Sequence, residues 1–211
     1  MSTVNVKELE RQLVQVKARL QSMFGKGGGT LEAISAGFDE QHDLERKIAA
    51  EKGEPHAKPL DLGCVPSVSG SGEFFLQSEL SDAFLIFSAV AKTKESAGKF
   101  VDVGFAVVRL KRCMQSKFGY PNDEAFSGHP IYNSGFSGYG TFEVVNSKWE
   151  QTLIEQNRVA FPNTGKWGLR HLIFAFKENV LECLVDDFDF RIEKRQFAEL
   201  VADVTAEISR D

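Results

Sequence analysis

The 211-residue chain is poor in the side chains that most often carry a readable chemistry: 3 cysteines, 4 histidines, 2 tryptophans and 3 tyrosines. Cys64, Cys113 and Cys183 lie far apart in sequence and form no CxxC pair, which argues against a disulfide framework or a zinc knuckle. His42, His56, His129 and His171 show no HxH or HExxH spacing, so the sequence predicts neither a metal site nor a cofactor. No GxGxxG opens a helix after a strand, and no Walker loop is present. The stretch from Gly135 to Gly138 is one residue short of the G-x-S-x-G of a nucleophile elbow. Long apolar runs are missing too. The longest, over 83–91, is about half of the ~20 residues that a membrane helix needs. The start, MSTVNVKELERQ, has no apolar core of a signal peptide. The expectation is a cytoplasmic protein that does not bind membranes.

Excess positive charge is absent as well. The net charge is −5, and the best basic cluster, Arg109, Lys111, Arg112 and Lys117, reads as a solvated strand end. Nucleic acid is therefore not expected as a partner. What the chain does have is phenylalanine, 18 in all. Phe has no polar handle, so the excess points to core filling.

The fold class expected is α+β: an N-terminal helical hairpin or coiled-coil segment, then a mainly antiparallel sheet domain with two helices. Val6, Leu9, Leu13, Val16, Leu20 and Met23 repeat in the 3-4 spacing of a heptad stripe, with Asn5 and Glu8 as a capping pair. GKGGG at 25–29 stops this helix, and Thr30 caps a second one carrying Leu31, Ile34, Phe38, Leu44 and Ile48. Two readings compete for the stripe: the helices pack on each other, or residues 5–24 pair with another copy in a homo-oligomer. The domain boundaries expected are 1–52 for the helices, 53–66 for a linker and 67–211 for the sheet domain.

From about Gly70 the period becomes strand-like. EFFLQS, DAFLIFSAVAK, FVDVGFAVVRLKR and GTFEVVN read as strands, and SKWEQTLIEQN as a helix. LRHLIFAF and VLECLVDDFDFRI read as a hairpin, and a last helix is expected from near Glu193, burying Phe197, Leu200, Val201, Val204 and Ile208. A two-residue turn at Glu178 and Asn179 would set Phe174 opposite Cys183, with one face apolar throughout. The same register sets Arg170 opposite Asp187 and His171 opposite Asp186. Glu182, on an otherwise apolar strand, would need a partner if its face is covered.

Between Phe118 and Gly140 lies a long irregular stretch rich in Gly and Tyr, containing SGHPIYNSGFSGYG. Pro130 forces His129 toward an extended backbone. Ordered loops of this length are often functional, and the apolar residues in this one predict order. Tyr120, His129, Tyr132, Tyr139 and Arg170 are therefore candidate ligand contacts, for a protein or a small-molecule partner at 118–140. His129, His171 and Asp186 are candidate catalytic groups.

GYPNDEAFSGHPIY, FEVVNSKW, NRV and RHLIFAFKENVLECLVDDF are similar, in order, to a family of small uncharacterised bacterial proteins. The resemblance covers about 118–188 and implies that the loop and the hairpin belong to one domain unit. It implies no activity. The function expected is a binding or interaction module that self-associates through its N-terminal helices. The alternative is a small-molecule enzyme with a His/Asp/Tyr site at the 118–140 loop.

Overall fold

The computed structural model describes residues 5–25, 28–69, 72–79, 82–92 and 99–209. Part of the predicted 25–29 glycine hinge, Lys26 and Gly27, lies outside them. The fold is α+β. In chain order the elements are α1 (Val6–Gly25), α2 (Leu31–Glu51), β1 (His56–Pro59), β2 (Val65–Pro66), β3 (Phe74–Gln77), β4 (Ala83–Lys92), β5 (Phe100–Lys111) and β6 (Gln115–Gly119). Two short 3-10 turns follow, Asp123–Gly128 and Tyr132–Ser134. Then come β7 (Gly140–Val145), α3 (Trp149–Arg158), β8 (Arg170–Ala175), β9 (Val180–Val185), β10 (Asp187–Glu193) and α4 (Phe197–Ile208). The stretch 53–66, expected as a linker, thus holds β1 and β2. The chain forms two compact units, one of 1–58, 127–137 and 144–147, the other of 59–126, 138–143 and 148–211.

In the first unit α1 and α2 form a hairpin. The heptad residues Leu9, Val16 and Leu20 are buried with Leu44 and Ile48 of α2, and Val6 and Leu13 pack at the margin. Thr30 caps α2, its hydroxyl accepting from the Ala33 amide at 3.2 Å. The helices close tightly where Gly37 meets Leu20, since a Cβ there would stand 2.6 Å from Leu20 Cδ2. Glu45 is buried at 3% exposure and is held by Lys17 Nζ at 2.9 Å and Gln41 Nε2 at 3.0 Å. The 3-10 turn at 132–134 packs against α2. Gly135 follows it with φ +86, and any Cβ there would sit 2.9 Å from Arg46 Cβ and 3.1 Å from the His42 carbonyl oxygen. Only glycine meets both demands.

The second unit is a two-sheet sandwich. Strands β7, β8, β9 and β6 stand side by side in that order, and β10, β5, β4 and β2 form the other sheet, with β3 also on β4. The pairs with stated register are all antiparallel. Leu85, Phe87, Ala106 and Val108 of one sheet meet Leu172, Phe174, Leu181 and Cys183 of the other in one buried core. Phe87 anchors it, its ring 5.4 Å from that of Phe176 and 6.4 Å from that of Phe174. The opposite face of β4 and β5, with Phe84, Ile86 and Val107, is covered by Leu200 and Val204 of α4. Covering on both faces explains why β4 reads as an unbroken apolar run. The three cysteines are free and buried.

Two strand expectations need correction. The hairpin turns at Lys177 and Glu178, with the Phe176 amide donating to the Asn179 carbonyl at 2.9 Å. Ala175 therefore faces Val180, Phe174 faces Leu181, and Leu172 faces Cys183. This register is two residues from the expected one. A slip of two keeps every side chain on its own face, so hydrophobic alternation does not distinguish the alternatives. The run VLECLVDDFDFRI is two strands, broken at Asp186, where the chain leaves one sheet and enters the other. The last strand extends to Glu193 and α4 begins at Phe197, later than expected.

Candidate functional site

One set of polar groups of the second unit lies on the face of β6, β9 and β8 that points away from the sandwich core. Alternation puts Gln115 and Lys117 of β6, Glu182 of β9, and His171 and Ile173 of β8 on that face. The register sets Lys117 opposite Glu182 and Glu182 opposite Ile173. His171 lies one step along β8, and its Nε2 comes to 3.0 Å from Glu182 Oε2. The His171 side chain is 9% exposed and the Glu182 side chain 19%. A carboxylate at that distance settles which ring nitrogen carries the proton toward it.

Helix α3 brings a third group. Its first residue, Trp149, meets the His171 ring edge-on, 4.9 Å between centroids and 74° between planes. The indole Nε1 donates to Gln115 Oε1 at 2.5 Å, and Lys117 Nζ stands 4.1 Å from the centre of the Trp149 ring. Beside this cluster lies a recess of about 230 Å³ lined by Lys117, Phe118, Gly119, Tyr120, Pro121, Val180 and Glu182. Glu182 thus faces two ways: it holds His171 and it lines the recess.

Among the residues predicted from sequence, Tyr120 borders this recess and is 80% exposed. Tyr139 donates to Asp123 Oδ2 at 2.5 Å; burial first, then the hydrogen bond and charge of Asp123, push its hydroxyl up to about 12. It is a fixed donor that ties its segment to the 123–128 turn. Arg170 faces Val185 and not Asp187 along the ladder, yet its guanidinium reaches Asp187 at 2.8 Å and grips Glu143 at 2.9 and 3.1 Å. The expected pairing of His171 with Asp186 is corrected. His171 lies opposite Leu184, and Asp186, at the break between β9 and β10, binds the Arg112 guanidinium. The two-residue change of register removes the pairing, and Glu182 takes the place expected for Asp186.

His129 and Tyr132 belong to the first unit. The His129 ring lies 4.6 Å from that of Phe136, and its carbonyl accepts from the Tyr132 amide at 2.9 Å. Between β6 and β7 the chain runs through the two short 3-10 turns, Asp123–Gly128 and Tyr132–Ser134. Among the described residues, no cluster of three or more His, Cys, Asp or Glu side chains is arranged to hold a metal ion. No helix among them is long and apolar enough to cross a membrane. Compared with protein-family models, curated proteins and solved structures, the chain matches none.

Sequence reasoning singled out Glu182 but missed Trp149, Gln115 and Lys117 as its surroundings. The alternation Gln115-x-Lys117 on a strand was a usable sign, because it puts two polar groups on one face. The position of Trp149 at the start of a helix carries no such sign.

Proposed function

We propose that the chain is a binding module whose sheet unit receives a small polar ligand in the recess beside Glu182. The observation that supports this most is the carboxylate itself: Glu182 lines the recess while His171 holds it from behind at 3.0 Å. Lys117 across the ladder supplies the opposite charge, and Tyr120 an exposed aromatic wall. Convergent polar groups in a concave, partly apolar site are the usual form of a small-molecule site, and about 230 Å³ suits a compact one. A ligand carrying both an ammonium and a carboxylate fits this pair of charges.

The test is amide NMR of the full chain against free amino acids and small amines at millimolar concentration. The expected outcome is shifts confined to the amides of Lys117, Gly119, Val180 and Glu182, and their loss in Glu182→Gln. Shifts elsewhere, or none, would reject the reading.

A second reading, a small-molecule enzyme, draws on the same imidazole–carboxylate couple, which is built to move a proton. Turnover of a bound ligand that disappears in His171→Gln while binding persists would favour it. Self-association through 5–24, expected from the heptad stripe, rests on less in this fold. The stripe is covered by α2, and what is left to support pairing is Val14 and Phe24, 68% and 61% exposed.

A further inference from the structure

Among the described residues, strand β10 ends its sheet, with only β5 beside it. On its partner strand, Val108 and Ala106, opposite Phe190 and Ile192, are both 0% exposed. Yet Phe190 and Ile192 are 41% and 40% exposed. Along β10 the apolar inner face of this sheet is covered only in part: Phe188 packs against the core, and Phe190 and Ile192 stay open. Phe188, Phe190 and Ile192 share that face, and Asp187, Asp189, Arg191 and Glu193 share the other. An end strand also offers half of its backbone N–H and C=O groups to a further strand.

We propose that β10 pairs antiparallel with β10 of a second copy of this chain, joining two sheets into one across a two-fold axis at Phe190. The sequence DFDFRIE is complementary to itself in that register. Phe190 meets Phe190 of the second copy, and Phe188 meets Ile192 on both sides of the axis, so the exposed apolar groups cover each other. On the opposite face Asp189 meets Arg191 twice, once on each side. A shift to an axis at Asp189 would set Asp189 against itself, and one at Arg191 would set Arg191 against itself, so charge selects the middle register. Asp187 and Glu193 meet at the ends of the paired segment, where Arg170 holds Asp187 at 2.8 Å and Arg191 of the same copy reaches Glu193 at 3.3 Å; Lys111 pairs with Asp189 of its own copy at 2.9 Å.

Sedimentation equilibrium of the full chain from low to several hundred micromolar tests the pairing. The expected result is a reversible dimer that is weakened by at least about tenfold in Arg191→Asp, which sets carboxylates against each other on both sides of the axis. The double variant Asp189→Arg with Arg191→Asp restores opposite charges within its own dimer and should associate as the original does. The two singly complementary chains, original and double variant, should not form a mixed dimer. Phe190→Cys should crosslink to itself on mild oxidation. A monomer throughout the concentration range would overturn the proposal. So would a dimer indifferent to Arg191→Asp, because association would then run through another surface.

Discussion

A half-buried histidine inside a helix hairpin gives the chain a defined response to acid. His42 lies on α2 one turn before the buried Glu45, with its ring stacked at 6.3 Å on that of Phe38. Burial lowers its pKa below the usual 6.5; the nearby Glu45 and Asp39 carboxylates oppose this with smaller effect. As pH falls, the unfolded chain therefore takes up this proton before the folded one does. The contribution of neutral His42 is present above about 6.5 and is lost as pH falls through that value toward the folded pKa. Melting temperature measured from pH 8 to pH 5 should fall for the native chain, and His42→Gln should flatten the part of the fall just below 6.5. Parallel curves for the two proteins would show that His42 is not the cause. In sequence His42 is one of four histidines without ligand spacing, and its burial depends on which side of α2 faces α1, which spacing alone does not give.

At the scale of elements, one carboxylate fixes a long connection. Glu150, in the first turn of α3 and 8% exposed, accepts from the backbone amides of Trp167 at 2.8 Å and Gly168 at 2.7 Å. Gly168 has φ +77, a backbone that a side chain rarely adopts. The loop between α3 and β8 also exposes Val159 and Phe161, 89% and 64%, so little apolar burial holds it in place there. Glu150→Ala should take the charged acceptor away from the Trp167 and Gly168 amides, lower stability by about 1–3 kcal/mol and open 159–169 to protease. Unchanged stability and an intact loop under limited proteolysis would mean that the loop is held otherwise. The hairpin next to this loop shows what was legible at this scale and what was not. The alternation in LRHLIFAF and VLECLVD gave the strands and their faces correctly, and Glu182 stood out as a carboxylate that needed a partner. Which partner it has depends on register, and register depends on the tip. Lys177 and Glu178 carry no glycine or asparagine preference to mark them as its centre, so Asp186 was set against His171 and the pairing with Glu182 was hidden.

For the whole molecule, the consequential feature is that the first unit is not continuous in sequence. Helices α1 and α2 and strand β1 share it with 127–137 and 144–147. No local pattern reveals this, because the return of a glycine-rich segment to a distant helix depends on close approach and not on periodicity. The trace it leaves is Gly135, whose place beside Arg46 Cβ and the carbonyl oxygens of His42 and Ala57 leaves no room for a side chain. The segment around it is thus seated on α2 by backbone, with the 132–134 turn against the helix. A chain that begins at Gly53 lacks this seat. In that chain 127–137 should be cut readily by a broad-specificity protease under conditions in which the full chain resists. Gly135→Ala in the full chain should reproduce part of the effect through a milder cause, since it keeps both helices but forces a Cβ into a contact of 2.9 Å at φ +86. The cost expected is about 1–3 kcal/mol of stability, from overpacking together with the strained backbone. If the shortened chain protects 127–137 as well as the full chain does, the helices are not what orders this segment. If it does not, and Gly135→Ala lies between the two, the order of the glycine loop comes from α2, more than seventy residues earlier in the chain.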